Sequence, residues 1–129
     1  MATVNSGILF ESNTMNLKEI SLNDVRKEVN GLLIDGEQII SVFQTVRDQV
    51  VFTTKRLIVV NVKGITGKKI AYFNYPYSKV QYFAIETAGV MDIDCELLLA
   101  FSDGNTLTLD FKSNVDIRKI SAQIAEYVL

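Results

Sequence analysis

The 129-residue chain holds 48% apolar and 22% charged residues, the balance of one globular domain able to build its own core. A formal charge of −2 and a pI near 5.1 argue against nucleic-acid binding, which needs a basic excess, and a single cysteine excludes an intramolecular disulfide. No apolar run approaches the ~20 residues of a membrane helix, and the N-terminus lacks the features of a secretory signal, so the sequence reads as cytoplasmic, in a reducing compartment.

Residues 1–15 are polar and aperiodic apart from Ile8, Leu9 and Phe10, and read as a loose arm. Ser21 and Asp24 form an S-x-x-D capping signal, and Leu22, Val25, Val29, Leu32 and Leu33 follow at helical spacing. This predicts an N-terminal helix over 21–34, ended by Asp35-Gly36. The period then changes to two, and residues 38–112 read as β structure. Ile39 to Val46 and Gln49 to Thr53 form a pair about Arg47-Asp48. Arg56 to Val62 is nearly all apolar, as in a strand buried on both faces. Lys68 to Tyr75 follows and stops at Pro76, which cannot donate to a ladder; Val80 to Thr87 is the next strand.

Ile93, Cys95, Leu97, Leu99 and Phe101 alternate along one face, Asp103-Gly104 is a hairpin turn, and Leu107, Leu109 and Phe111 alternate on the return. Ser113 and Asp116 repeat the capping signal before a helix over 114–128. Its apolar face is Ile117, Ile120, Ile124, Tyr127 and Val128. Seven strands and one amphipathic helix predict a mostly β, antiparallel barrel or orthogonal sandwich whose open end the helix caps.

Several ordered blocks carry a resemblance. The segment Arg47-Asp48-Gln49-Val50-Val51-Phe52-Thr53-Thr54-Lys55-Arg56-Leu57-Ile58 is similar to the RD-x-x-x-FT-x-KRL signature of the bacterial pleckstrin-homology (PH)-like domain family. Gly64 to Lys69, Tyr75-Pro76-Tyr77, Glu86 to Gly89 and Asp92 to Leu97 resemble its later blocks in order. Cys95 departs from the pattern, standing where a small residue is usual. The resemblance covers residues 36–129 and implies the PH-like barrel with its capping helix. It implies no reaction, since fold and function are separable. It also implies a homo-oligomer, of ring-like form in such families.

Catalytic groups are scarce. The chain has no histidine, and no serine sits in a nucleophile-elbow context, so an enzyme is not expected. Cys95 shares a face with Ile93 and Leu97 and reads as a core thiol. Gly64-x-x-Gly67-Lys68-Lys69 has the wrong spacing for a phosphate-binding P-loop and reads as a strand connection whose glycines supply positive φ. No cofactor is implied.

Two candidate surfaces follow. Lys55, Arg56, Lys63, Lys68 and Lys69, if gathered on one rim, would attract anionic lipid headgroups in a peripheral membrane contact. Tyr72, Tyr75, Tyr77 and Tyr82 either pack within the sheet or supply an exposed aromatic patch at a protein interface. The carboxylates Glu86, Asp92, Asp94 and Glu96 lack the order of a calcium loop and are better suited to pair with basic groups of a neighbouring subunit. The leading reading is a non-catalytic module that self-associates or binds a further protein, with Tyr75 and Tyr82 as interface probes.

Overall fold

The computed structural model describes residues 17–64, 66–87, 95–112 and 115–129. Two antiparallel sheets face each other. The first has the order β1-β2-β3-β4-β5: Lys18–Ile20, Ile39–Gln44, Gln49–Thr53, Arg56–Lys63 and Lys69–Pro76. The second has the order β6-β7-β8: Val80–Glu86, Cys95–Phe101 and Thr106–Phe111. A C-terminal helix spans Ile117–Val128 and is called α2 here, after the short α1 at Lys27–Asn30. The mostly β, PH-like class expected from the sequence is the class found. The sheets do not close into a barrel; among the described residues, a single parallel bridge from Leu17 to Phe111 ties the first sheet to β8.

The main core lies between the sheets and beneath α2. Phe43 sits at its centre, edge-on to Phe52 at 5.6 Å and to Phe111 at 5.1 Å. Leu57, Leu97, Leu99, Leu109, Ile120 and Ile124 fill the space around them, all at most 1% exposed. Burying one such side chain contributes roughly 1.5–3 kcal/mol. Cys95 belongs to this core, as its position on the apolar face predicted.

A second, smaller core lies on the outer face of the five-stranded sheet. Val42, Val51, Ile58 and Val60 point outward there and are covered by Val29, with Val25 and Leu33 alongside. β4 is therefore buried on both faces, as its continuous apolar sequence predicted.

The segment that covers this face is not the helix expected over 21–34. It holds one 3₁₀ turn at Leu22–Asp24 and the single turn of α1, with extended backbone at Val25 and Arg26 between them. Gln49 of β3 causes the break: its amide oxygen accepts the Arg26 N–H at 3.0 Å and its amide donates to the Asp24 carbonyl at 3.0 Å. Those backbone groups are thereby taken from any continuous helix. Asn23, Asp24, Asn30 and Gly31 are weak helix formers that offer little resistance. Ser21 does cap, but it caps the 3₁₀ turn, accepting from Asn23 N–H.

Three further differences are local. β1 is an eighth strand, too short to show a period, paired with β2 from Lys18 opposite Gln44 to Ile20 opposite Val42. β2 ends at Gln44 rather than Val46, because Thr45 N–H bonds the Asp48 carbonyl and closes the turn. α2 begins at Ile117, with Asp116 as its cap accepting from Arg118 and Lys119 N–H. Ser113, the arm at 1–15 and Ile93 lie outside the described residues.

Candidate functional site

The segment read as a family signature is occupied with holding the fold together. Asp48 is fully buried, and its carboxylate accepts the Val62 N–H at 2.9 Å and the Asn61 side-chain amide at 3.1 Å. This ties the β2–β3 turn to the end of β4. Arg47 reaches from the same turn to the Gly64 carbonyl. The Thr53 hydroxyl donates to Glu37 at 2.6 Å and accepts the N–H groups of Lys55 and Arg56, which fixes the β3–β4 turn. Phe52 and Leu57 are core residues.

Arg56 makes the most contacts of the set. Its Nε and Nη2 each lie 2.9 Å from a Glu37 oxygen, Nη1 donates to Asn74 at 3.1 Å, and Nη2 also reaches the Leu32 carbonyl. Burial pushes the Glu37 carboxyl up. The hydrogen bonds from Arg56, Thr53 and the Ile34 N–H, with the Arg56 charge, outweigh it and hold the group below the ordinary carboxylate value.

This geometry divides the basic set expected on one rim. Arg56 begins β4, with Lys55 in the turn just before it, while Lys63 ends it, opposite Lys69. At a rise of about 3.3 Å per residue the two ends lie about 23 Å apart. Arg56 is also committed to Glu37. What remains at the far end is Lys63, Lys68 and Lys69, next to the β2–β3 turn with Arg47 and the fully exposed Val46. Gly64 and Gly67 have φ of 74° and 67°, so the loop between the lysines is the strand connection expected. A side chain built at Gly67 would approach the Arg47 guanidinium to 3.7 Å, which places that group against the loop.

The tyrosines separate as well. Tyr72 points outward beside Val60 and packs into the second core. Tyr75 points inward and stacks on Phe101 at 5.2 Å. Tyr77 is only 4% exposed, donates to the Thr53 carbonyl at 2.8 Å and stacks on Tyr127 of α2. These three belong to the interior packing of this chain. Tyr82, on the edge strand β6, is 58% exposed.

Tyr82 opens the outward face of the second sheet. Its residues form three cross-strand rows: Tyr82–Ala100–Thr106, Ala84–Leu98–Thr108 and Glu86–Glu96–Asp110. Tyr82, Ala84, Glu86 and Thr108 are exposed, in contrast to the covered outer face of the first sheet. A hydrogen bond with the Asp110 carboxyl, burial and the charges of Asp110 and Glu86 push the Glu96 carboxyl up. Asp110 was not singled out from the sequence, although the alternation of β7 and β8 puts it on the same face as Glu96, and the pairing of the two strands sets the two residues opposite each other. Asp92 and Asp94 lie outside the described residues. Among the described residues no cluster of three acidic or thiol groups is placed to hold a metal ion, and no helix is long and apolar enough to cross a membrane.

Comparison with known proteins agrees with this architecture. Residues 8–128 match the model of the bacterial PH domain family. The uncharacterized protein YjqA of Bacillus subtilis is 38% identical over 114 residues, covering 84% of this chain and 91% of its own. The crystal structure of a DUF1696 family protein with a pleckstrin-homology domain, from Shewanella loihica, superposes with a TM-score of 0.80 at 36% identity, over 89% of this chain and 99% of that one. A pleckstrin homology domain from Shewanella amazonensis gives a TM-score of 0.67 at 38% identity, over 85% and 90% of the two chains. The signature held by Asp48, Thr53 and Arg56, the two facing sheets and the matched span lead to one conclusion: this chain belongs to the bacterial PH domain family.

Proposed function

We propose that this protein is a non-catalytic PH-like module that self-associates through the outward face of its second sheet. The supporting observation is the asymmetry between the sheets. The outer face of β1-β5 is sealed by residues 22–34, whereas the face of β6-β7-β8 leaves Tyr82 58% exposed beside Ala84 and Leu98. Exposed aromatic and aliphatic groups on an edge strand are the kind of surface that proteins cover with a partner. Tyr82→Glu tests the reading: it places a charge in the contact and lowers the particle mass to that of a monomer, with an unchanged circular dichroism spectrum. A Tyr82→Glu variant of undiminished mass contradicts it.

A second reading draws on the far end of β4. Val46 is fully exposed at the tip of the β2–β3 turn beside Arg47, which reaches the Gly64 carbonyl in the loop between Lys63 and Lys68-Lys69. An apolar tip within a basic collar suits a peripheral contact with an anionic bilayer. Sedimentation with phosphatidylserine vesicles tests it: salt-sensitive pelleting that Val46→Asp abolishes supports this reading, and no pelleting at low salt removes it.

A further inference from the structure

The segment between β1 and β2 covers the outer face of the first sheet without belonging to it. Residues 21–36 add no strand to either sheet and no side chain to the core between the sheets. Beneath them, Val42 stands opposite Val51 and Val51 opposite Ile58, which makes one continuous apolar row across β2, β3 and β4. Within 21–36 only Val29 is fully buried over this row, while Leu22, Leu32 and Ile34 remain exposed. A 3₁₀ turn and a single α turn are too short to be stable by themselves. Side chains from outside the segment hold it instead, at two places. Near its start, Gln49 bonds the backbone of Asp24 and Arg26. At its end, the Glu37 carboxylate accepts the Ile34 N–H at 3.1 Å, and Arg56 holds both that carboxylate and the Leu32 carbonyl. The paired strands β1 and β2 fix the two ends, and Gly36, at φ 82°, supplies a joint beside the second.

We propose that residues 21–36 are a strap that opens as one unit while both sheets stay paired, baring the Val42–Val51–Ile58 row, and that the Glu37–Arg56 pair is its latch. Opening costs the small outer core and leaves the main core intact, so it lies below global unfolding in free energy. The latch responds to acid. The other titratable groups facing Glu37 are Arg56 from β4 and the Tyr77 hydroxyl from the turn Tyr77–Lys79, which burial, Tyr127 and the Glu37 charge keep protonated. Neither titrates in the acid range, so Glu37 is the group that does. The closed strap binds its proton less readily than the open one, and falling pH therefore favours opening.

Hydrogen exchange of the wild-type chain, corrected for intrinsic rates, tests the device. The Arg26, Val29, Leu32 and Ile34 amides span the strap and bond different acceptors. They are expected to share one opening constant, about tenfold or more above that of the central strand β7. Below the ordinary carboxylate value this constant rises by up to about tenfold per pH unit, the limit for one proton. In Glu37→Gln the four amides still exchange together, with a larger opening constant at neutral pH and no rise in acid. Four unrelated constants in the wild type, or one shared with β7, overturn the strap. An acid rise that persists in Glu37→Gln overturns the latch.

Discussion

Arg56 grips Glu37 at two points, each 2.9 Å long, across the boundary between the first sheet and the segment that seals it. The Glu37 side chain is fully buried and that of Arg56 is 20% exposed. The same guanidinium reaches Asn74 on β5 and the Leu32 carbonyl. One side chain thus joins β4, β5 and the covering segment, and a planar fork suits that task better than a single ammonium.

Breaking this pair leaves a buried charge uncompensated. Arg56→Lys and Arg56→Ala are each expected to destabilise the fold, the alanine change by about 3 kcal/mol. Urea denaturation checks this, and the loss should exceed that of Lys55→Ala, whose side chain is exposed.

The depressed Glu37 carboxyl gives the fold an acid limit. The folded state binds this proton less readily than the unfolded chain does. Its contribution is complete above the ordinary carboxylate value and is lost as pH falls through the lower folded value. Melting temperature measured from neutral to acid pH should therefore fall for the wild type and fall less for Glu37→Gln, which starts lower.

Glu96 acts in the opposite direction. Its carboxyl is raised, so the folded state binds the proton more readily, and the penalty present at neutral pH is relieved as pH falls. On a monomeric Tyr82→Glu background, Glu96→Gln should stabilise the chain at neutral pH by about 0.5 kcal/mol, the scale of one cross-strand pair. The gain should shrink in acid.

Tyr75 and Tyr77 give a contrasting pair. The Tyr77 hydroxyl is bonded to Thr53, while the Tyr75 hydroxyl is buried without a partner among the described residues, and burial pushes its pKa up to about 12. Tyr77→Phe should cost about 1 kcal/mol, and Tyr75→Phe should be neutral or stabilising. Both are read from denaturation midpoints.

The strands were legible because their pattern is local: Cys95, Leu97, Leu99 and Phe101 face the core by simple alternation, and Asp103-Gly104 marks the turn with Gly104 at φ 90°. The break between the 3₁₀ turn and α1 was not legible, because it depends on Gln49, some 25 residues along the chain. The basic rim failed for a similar reason. Lys55 and Lys63 are near in sequence, but an eight-residue strand separates them in space. The acidic row was half visible: Glu86 and Glu96 stand out, whereas Asp110, which alternation puts on the same face as Glu96, was not singled out.

Self-association is the central claim, and absolute mass by light scattering behind a sizing column tests it most directly. The wild-type chain is measured over a wide concentration range. A particle several times the 14.4 kDa chain mass, stable on dilution, is the predicted result. A 14.4 kDa particle at every concentration would contradict the account.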